Sequence, residues 1–193
     1  MDFYNRKFLF LLSALNFIGL VSALYLYIPD IRMHIAKGKY FIILFFVVSV
    51  WLYLSAFIFS TYLYLDKKIP KFLGGLCFIY SFVYGFGSFI FYPLLMIFVS
   101  GFTPYYFWNV FAHGFVGLQS FLFLERVNRP GFVSFFSLIM VFLIKDLADF
   151  FYGGFLYFTE YEFPYFFKIF LIAFIIVLQI IGFYLLLNPK RLK

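Results

Sequence analysis

The chain has 193 residues, of which 66% are hydrophobic and only 12% are charged, about half the charged share of a soluble domain. A soluble protein of this size could not bury so much apolar surface in one core, so the composition excludes a soluble globular domain and predicts lipid as the solvent. The net charge of +7 is typical of the Lys and Arg excess in cytoplasmic loops, and no basic, aromatic-interleaved face predicts nucleic-acid binding.

Six apolar segments follow one another along the chain, and each has about the 20 residues that a helix needs to cross the hydrocarbon core. They predict an all-α, polytopic membrane protein whose 193 residues form one transmembrane bundle. The fifth segment is the only one that carries several charges in its interior. The predicted helices are 8–28, 40–65, 72–92, 104–124, 132–157 and 166–187.

The Lys and Arg residues of the predicted loops indicate the orientation of the bundle. Ten lie on the side of the N-terminus: Arg6, Lys7, Lys67, Lys68, Lys71, Arg126, Arg129, Lys190, Arg191 and Lys193. Four lie on the other side: Arg32, Lys37, Lys39 and Lys168. The excess predicts a multi-pass protein of the cell (plasma) membrane with both termini in the cytoplasm.

The third predicted helix carries a stripe of small residues at helical spacing. Such stripes let a second membrane helix approach closely, so we interpret this one as a packing surface. The stripe consists of Gly74, Cys77, Ser81, Gly85 and Ser88. Cys77 is the only cysteine, which excludes a disulfide within the chain and a Cys-based metal cluster.

Three charged residues interrupt the fifth predicted helix: Lys145, Asp146 and Asp149. A charge at mid-membrane costs roughly 2.5–3.5 kcal/mol on insertion scales, so such residues face the bundle interior and indicate a functional site. Lys145 and Asp149 are four residues apart and share a face, which predicts an internal ion pair.

The fourth predicted helix offers partners for these carboxylates. Asn109 and His113 lie on one face, and helices four and five are consecutive and should touch. His113 lies at about the depth of Asp146 and Asp149, counted at 1.5 Å per residue. We therefore predict a shared polar site in the outer half of the bilayer, with a structural polar core as the alternative. Three amides are interpreted as helix-packing groups: Asn16, Gln119 and Gln179.

Short motifs on four of the predicted helices together resemble those of the YpjA-like family. They are Asn16-x-x-Gly19 with Tyr25 and Tyr27, Tyr84-Gly85, His113-Gly114-x4-Gln119, and Asp146-x-x-Asp149-x-x-Tyr152-Gly153. That family consists of uncharacterised prokaryotic integral membrane proteins, classed as a domain of unknown function. The resemblance implies a small polytopic fold without an established activity, and it groups His113, Asp146 and Asp149 as a set.

Three functions are compatible with this site. The first is proton- or ion-coupled transport or relay, because an imidazole and two carboxylates at one depth can pass protons. The second is an intramembrane enzyme acting on a lipid or apolar substrate, in which His113, Asp146 and Asp149, with His34, would ligate a divalent metal. The third is an accessory subunit that binds other membrane subunits. The sequence leaves open whether the protein is an enzyme.

Several cofactors and mechanisms are disfavoured by the sequence. A bis-His haem needs two intramembrane His ligands, and only His113 qualifies. No GxGxxG or GxxxxGK[ST] motif predicts a dinucleotide or nucleotide site. No recognised motif marks a Ser or Cys nucleophile, and no HExxH motif supports the metal hypothesis.

Overall fold

The computed structural model describes residues 5–40, 43, 47–151 and 164–188. Within these ranges the chain forms six α-helices and no strand, which confirms the predicted all-α membrane bundle. The helices are α1 (Arg6–Ala36), α2 (Val48–Tyr64), α3 (Lys71–Leu95), α4 (Pro104–Leu124), α5 (Phe132–Phe151) and α6 (Tyr165–Leu187).

Four of these helices are long and apolar enough to cross a membrane. They are α1, α4, α6, and α3 together with the π-helical turn Met96–Ser100 that continues it. The remaining two helices do not meet this criterion of length and apolarity, for separate reasons. α2 is apolar but has only 17 residues, whereas α5 has 20 residues and contains the three charges that the sequence places there.

Two helices continue through a proline at which the sequence predicts them to end. α1 continues through Pro29 to Ala36 instead of ending at Ile28, so at 1.5 Å per residue it is about 46 Å long and exceeds the hydrocarbon core. α3 continues through Pro93 into the π-helical turn, a widening that often accompanies a missing backbone donor. Gly101, with φ of +69°, then reverses the chain before α4.

The boundaries of two other predicted helices are only partly described. α2 begins at Val48, later than the predicted start at residue 40, and residues 41–42 and 44–46 lie outside the described ranges. α5 is described to Phe151, so residues 152–157 of the predicted fifth helix lie outside them as well. Pro104 and the side chain of Thr103, which accepts a hydrogen bond from the Tyr106 amide at 3.1 Å, start α4 where the sequence predicts.

α3 is the central helix of the bundle. It packs against α2, α4, α5 and α6, and the main apolar core is drawn from these five helices. α1 lies at the periphery and packs chiefly on α2, where Leu20 and Ala23 contact the start of that helix. α1 and α4 are neighbours on the same side of α2, since both pack on α2 and Asn16 of α1 hydrogen-bonds Gln119 of α4.

The contact between α3 and α4 depends on glycine. A Cβ atom at Gly85 would lie 2.5 Å from the Cα and backbone N of Gly117, and 3.1 Å from the carbonyl oxygen of His113. The two backbones therefore approach directly, in the way that small residues allow between membrane helices. This contact fixes the height and rotation of His113.

Candidate functional site

A groove between α1 and α4, with α2 as its floor, is lined by the histidine that the sequence analysis singled out. We call it the α1–α4 groove; its volume is about 480 Å³. On α4 it runs from Tyr105 to Val116, a length of about 16 Å at 1.5 Å per residue. Asn109 and His113, both predicted from the sequence, line it.

The walls of the α1–α4 groove are apolar and face outward. Exposed hydrophobic side chains from both helices form the rims. They are Leu15, Ile18 and Leu26 on α1, and Trp108, Phe111 and Phe115 on α4. Both helices are among those long and apolar enough to span a membrane, so the natural solvent at this opening is the hydrocarbon of the bilayer.

Two buried amides close the inner end of the groove. The Asn16 amide donates a 2.8 Å hydrogen bond to the side-chain oxygen of Gln119 and a 3.3 Å bond to the Ser60 hydroxyl. We call the Asn16–Gln119 contact the amide clasp. It joins α1 to α4 below the groove, which is the helix-packing role that the sequence predicts for both amides.

His113 lies at the floor of the groove and is only 1% exposed. Its Nδ1 is 3.0 Å from the carbonyl oxygen of Asn109, and its Nε2 is 3.0 Å from the hydroxyl oxygen of Ser49. A carbonyl oxygen can only accept, so Nδ1 carries a proton and donates it. In the neutral ring, Nε2 is then the acceptor of the Ser49 hydroxyl proton.

Aromatic rings hold the imidazole in place. The ring centroids of Tyr92 and Tyr53 lie 5.3 and 5.7 Å from that of His113. Tyr53 itself packs on Gly19 of α1, where a Cβ would lie 2.4 Å from its ring. The Tyr27 hydroxyl, from α1, hydrogen-bonds Ser49. Four helices, α1 to α4, thus supply one connected group at the floor.

The charged residues of α5 form a second, separate cluster. Lys145 and Asp149 are 4% and 3% exposed and form the ion pair that their i, i+4 spacing predicts. The ammonium also lies 5.1 Å from the centroid of the Tyr84 ring on α3, a cation–π distance. Asp146 instead accepts a 2.8 Å hydrogen bond from the Gln179 amide on α6.

The predicted contact of His113 with Asp146 or Asp149 is therefore wrong. The hydrogen bonds of His113 go to Ser49 and Asn109, and each carboxylate has a partner elsewhere. α3 separates the two clusters: its Gly85 faces the backbone of His113, whereas the next residue back, Tyr84, faces Lys145. Adjacent helical residues diverge by about 100°, so one helix can face both.

The metal hypothesis fails for the same geometric reason. Among the described residues, no three His, Cys, Asp or Glu side chains lie close enough together to hold a metal ion. His113, Asp146 and Asp149 are all described, and so is His34, which lies near the end of α1. The structure disperses this predicted ligand set over separate places in the bundle.

A small cavity of about 30 Å³ adjoins the α5 cluster. Asp149, Tyr84 and Ser88 contribute its polar lining, and it is large enough for a water molecule. The hydroxyls of Tyr80 and Tyr84 are buried without a hydrogen-bond partner in the described part of the chain. The stripe residue Ser88 thus borders a cavity, while Cys77 hydrogen-bonds Ser55 of α2 and Gly74 packs on Ile69.

Sequence reasoning missed Ser49 and Tyr53 as site residues, and it named Tyr27 only in the motif of the family resemblance. Ser49 lies 64 positions before His113, inside an apolar segment that carries no nucleophile motif. The signal that could have found it is weak: one of three serines in the predicted helix 40–65, at the height of a histidine on another helix. Only the packing of α2 against α4 brings the two together.

Comparisons with protein-family models, with curated proteins and with solved structures found no match for this chain. The resemblance to the YpjA-like family therefore stays a prediction, and the functional argument depends on the geometry of the α1–α4 groove.

Proposed function

We propose that this membrane protein binds a lipid or another amphipathic molecule taken from the bilayer, in the α1–α4 groove. The single observation that carries the proposal is the combination of apolar, outward-facing walls with a polar floor formed by His113, Ser49 and Tyr53. This is the lipid-directed alternative of the sequence analysis, without its metal.

The size and lining of the groove support a small amphipathic ligand. Ligand sites measure about 300–1,000 Å³ and are mostly apolar, with a few polar groups that fix orientation. The α1–α4 groove has about 480 Å³ and follows that pattern. An apolar chain would lie against Ile18 and Phe115, and a polar group would reach the Ser49 hydroxyl.

The proposal includes a topology in which all six helices cross the plasma membrane and both termini are cytoplasmic. It is supported by a cleft of about 750 Å³ at the end of the bundle near the N-terminus, lined by Arg6, Lys67, Lys68 and Arg126. Basic residues favour the cytoplasmic side. The groove then opens toward the outer leaflet, because Tyr27 and Tyr105 lie in the halves of α1 and α4 that are farther from this basic cleft.

Cross-linking with a diazirine-bearing phospholipid tests the binding. In proteoliposomes, labelling of the α1 and α4 rim peptides should saturate as the probe mole fraction rises, whereas labelling of Ile180, exposed on α6 and outside the groove lining, should rise in proportion. Ala112→Trp should fill the groove and lower rim labelling about tenfold, the effect of losing about 1.4 kcal/mol of binding free energy.

Ile180→Trp is the matched control, since it adds the same ring to the exposed surface of α6, outside the groove lining, and should leave rim labelling unchanged. Rim labelling that never saturates, or that Ala112→Trp does not reduce, would show that the groove holds no more than bulk lipid and would refute the proposal.

A proton or ion relay is the second candidate, now confined to the α5 cluster. It is favoured by the cavity beside Asp149 and by the hydroxyls of Tyr80 and Tyr84, which have no hydrogen-bond partner among the described residues. Proton flux into proteoliposomes should fall in Asp149→Asn. It should persist in Asp146→Asn, because the Asp146 side chain hydrogen-bonds Gln179 and does not line the cavity. Equal flux in both variants and in wild type would remove the candidate.

A further inference from the structure

We infer that Ser49 is a nucleophile activated by His113, and that the α1–α4 groove transfers the acyl group of a neutral lipid ester to water. The inference rests on the proposed function, since it names the chemistry that the bound ligand would undergo. It begins from the hydrogen bonds at the groove floor and from their direction.

The Ser49–His113 pair has the geometry of an activated hydroxyl. The 3.0 Å distance between Oγ and Nε2 falls within the range of about 2.6–3.2 Å expected for a nucleophile and its base. The third member of such an arrangement orients the base, and here the Asn109 carbonyl does so by accepting from Nδ1 at 3.0 Å. The acceptor nitrogen is thereby directed at the serine.

The pair is accessible from the groove although it is largely buried. Both side chains line the groove, and Ser49 is half-buried where His113 is fully buried. A substrate lying along the apolar walls would therefore meet the hydroxyl before the imidazole. That order is required if serine attacks and histidine only moves protons.

The surroundings favour the negative charge that develops during attack. Ser49 is the second residue of α2, and the first turn of a helix carries the positive end of its dipole. The Tyr27 hydroxyl hydrogen-bonds Ser49, and in the proposed reaction its proton would be available to an oxyanion that forms beside Ser49. Donors aimed at a developing oxyanion in a site that excludes water stabilise the transition state strongly.

The reaction balances with water as the only co-reactant. Ser49 Oγ forms a bond to the ester carbonyl carbon while its proton passes to Nε2 of His113. The carbonyl then re-forms, the ester C–O bond breaks, and the leaving alcohol takes the proton from Nε2. Water next attacks the acyl carbon, gives a proton to Nε2, and Ser49 recovers it as the carboxylic acid departs.

The chemistry of the groove limits the substrate class. The polar groups along its floor and rim are neutral: the hydroxyls of Ser49, Tyr27 and Tyr53, the amide of Asn109 and the imidazole of His113. A charged headgroup at this depth would lack a counterion among the lining residues. A neutral ester with one or more apolar chains therefore fits best.

An alkyl fluorophosphonate probe tests the nucleophile directly. Purified wild-type protein should gain one phosphonyl group, and peptide mass spectrometry should place it on Ser49. His113→Gln should slow labelling by about 100-fold or more, the usual contribution of a general base. Ser55→Ala is the matched control, because Ser55 lies on the same helix but bonds Cys77 of α3, and it should label like wild type.

Measurements of ester hydrolysis and of lipid cross-linking distinguish the nucleophile proposal from the binding proposal. Wild-type protein should hydrolyse a neutral long-chain ester in mixed micelles and show saturable rim cross-linking, and Ser49→Ala should abolish the hydrolysis. Saturable cross-linking without probe attachment to wild-type Ser49 would overturn the nucleophile and leave the binding proposal standing. Loss of saturable cross-linking in wild type would overturn the binding proposal itself. Site mapping on wild type needs no variant, so a variant that misfolds does not affect this result.

Discussion

Buried polar side chains in this bundle are satisfied in two different ways. Lys145 and Asp149 neutralise each other within one turn of α5, so the pair needs no other helix to cancel its charge. His113 instead depends on Asn109 of its own helix and on Ser49 of α2. The first arrangement is a local ion pair that stabilises one helix, and the second exists only where two helices meet.

The ion pair gives a stability prediction. Asp149→Asn should lower the free energy of unfolding by about 3–5 kcal/mol, because it leaves the Lys145 ammonium buried without its counterion. Thermal unfolding in detergent would measure the loss. The double substitution Lys145→Met with Asp149→Leu should recover most of it, since no buried charge remains. A double variant as unstable as Asp149→Asn would contradict this account.

Among the elements, α3 determines how the others can pack. Its four helical neighbours include α4, which approaches at Gly85 so closely that only hydrogen atoms fit between the backbones. The tyrosines at positions 80 and 84 meet the charged cluster. A single helix thus keeps the histidine floor and the ion pair apart while lying against both.

The α3–α4 contact predicts an asymmetric response to two small substitutions. Gly85→Ala should destabilise the protein by about 1–3 kcal/mol, since the new methyl meets backbone atoms of Gly117 that cannot rotate away. Ser81→Ala, one turn earlier on the same stripe, should be neutral or stabilising because the Ser81 hydroxyl is buried without a partner among the described residues. Unfolding temperatures of both variants in the same detergent measure the difference. Equal losses would show that the stripe does not set the helix spacing.

At the scale of the whole molecule, the features that the sequence predicts are the local ones. Six helices follow from apolar length, and the Lys145–Asp149 pair follows from a spacing of four on one helix. Asp146 with Gln179, and Ser49 with His113, join residues on different helices, so their pairing depends on helix rotations and heights that composition does not specify. The prolines led to wrong helix ends: the sequence predicts that helices stop at Pro29 and Pro93, but both helices continue and lack one backbone N–H donor at each proline.

The proposed topology can be read from labelling at two positions. In a Cys77→Ala background, an impermeant maleimide applied to intact expressing cells should label Lys37→Cys, which follows α1. It should label Lys67→Cys, in the basic cleft, only after the membrane is permeabilised. The opposite pattern would invert the bundle and place the groove opening in the inner leaflet.

Because the α1–α4 groove opens toward the side of the bundle, the relevant concentration of its ligand is the concentration within the membrane. The rims are hydrophobic side chains of helices long and apolar enough to span a membrane, and the amide clasp closes only the inner end. A molecule that enters there diffuses in two dimensions within the leaflet and never dissolves in bulk water. Occupancy of the groove should therefore follow the mole fraction of the ligand among the lipids. Adding inert detergent or phospholipid would lower the occupancy even when the amount of ligand is unchanged.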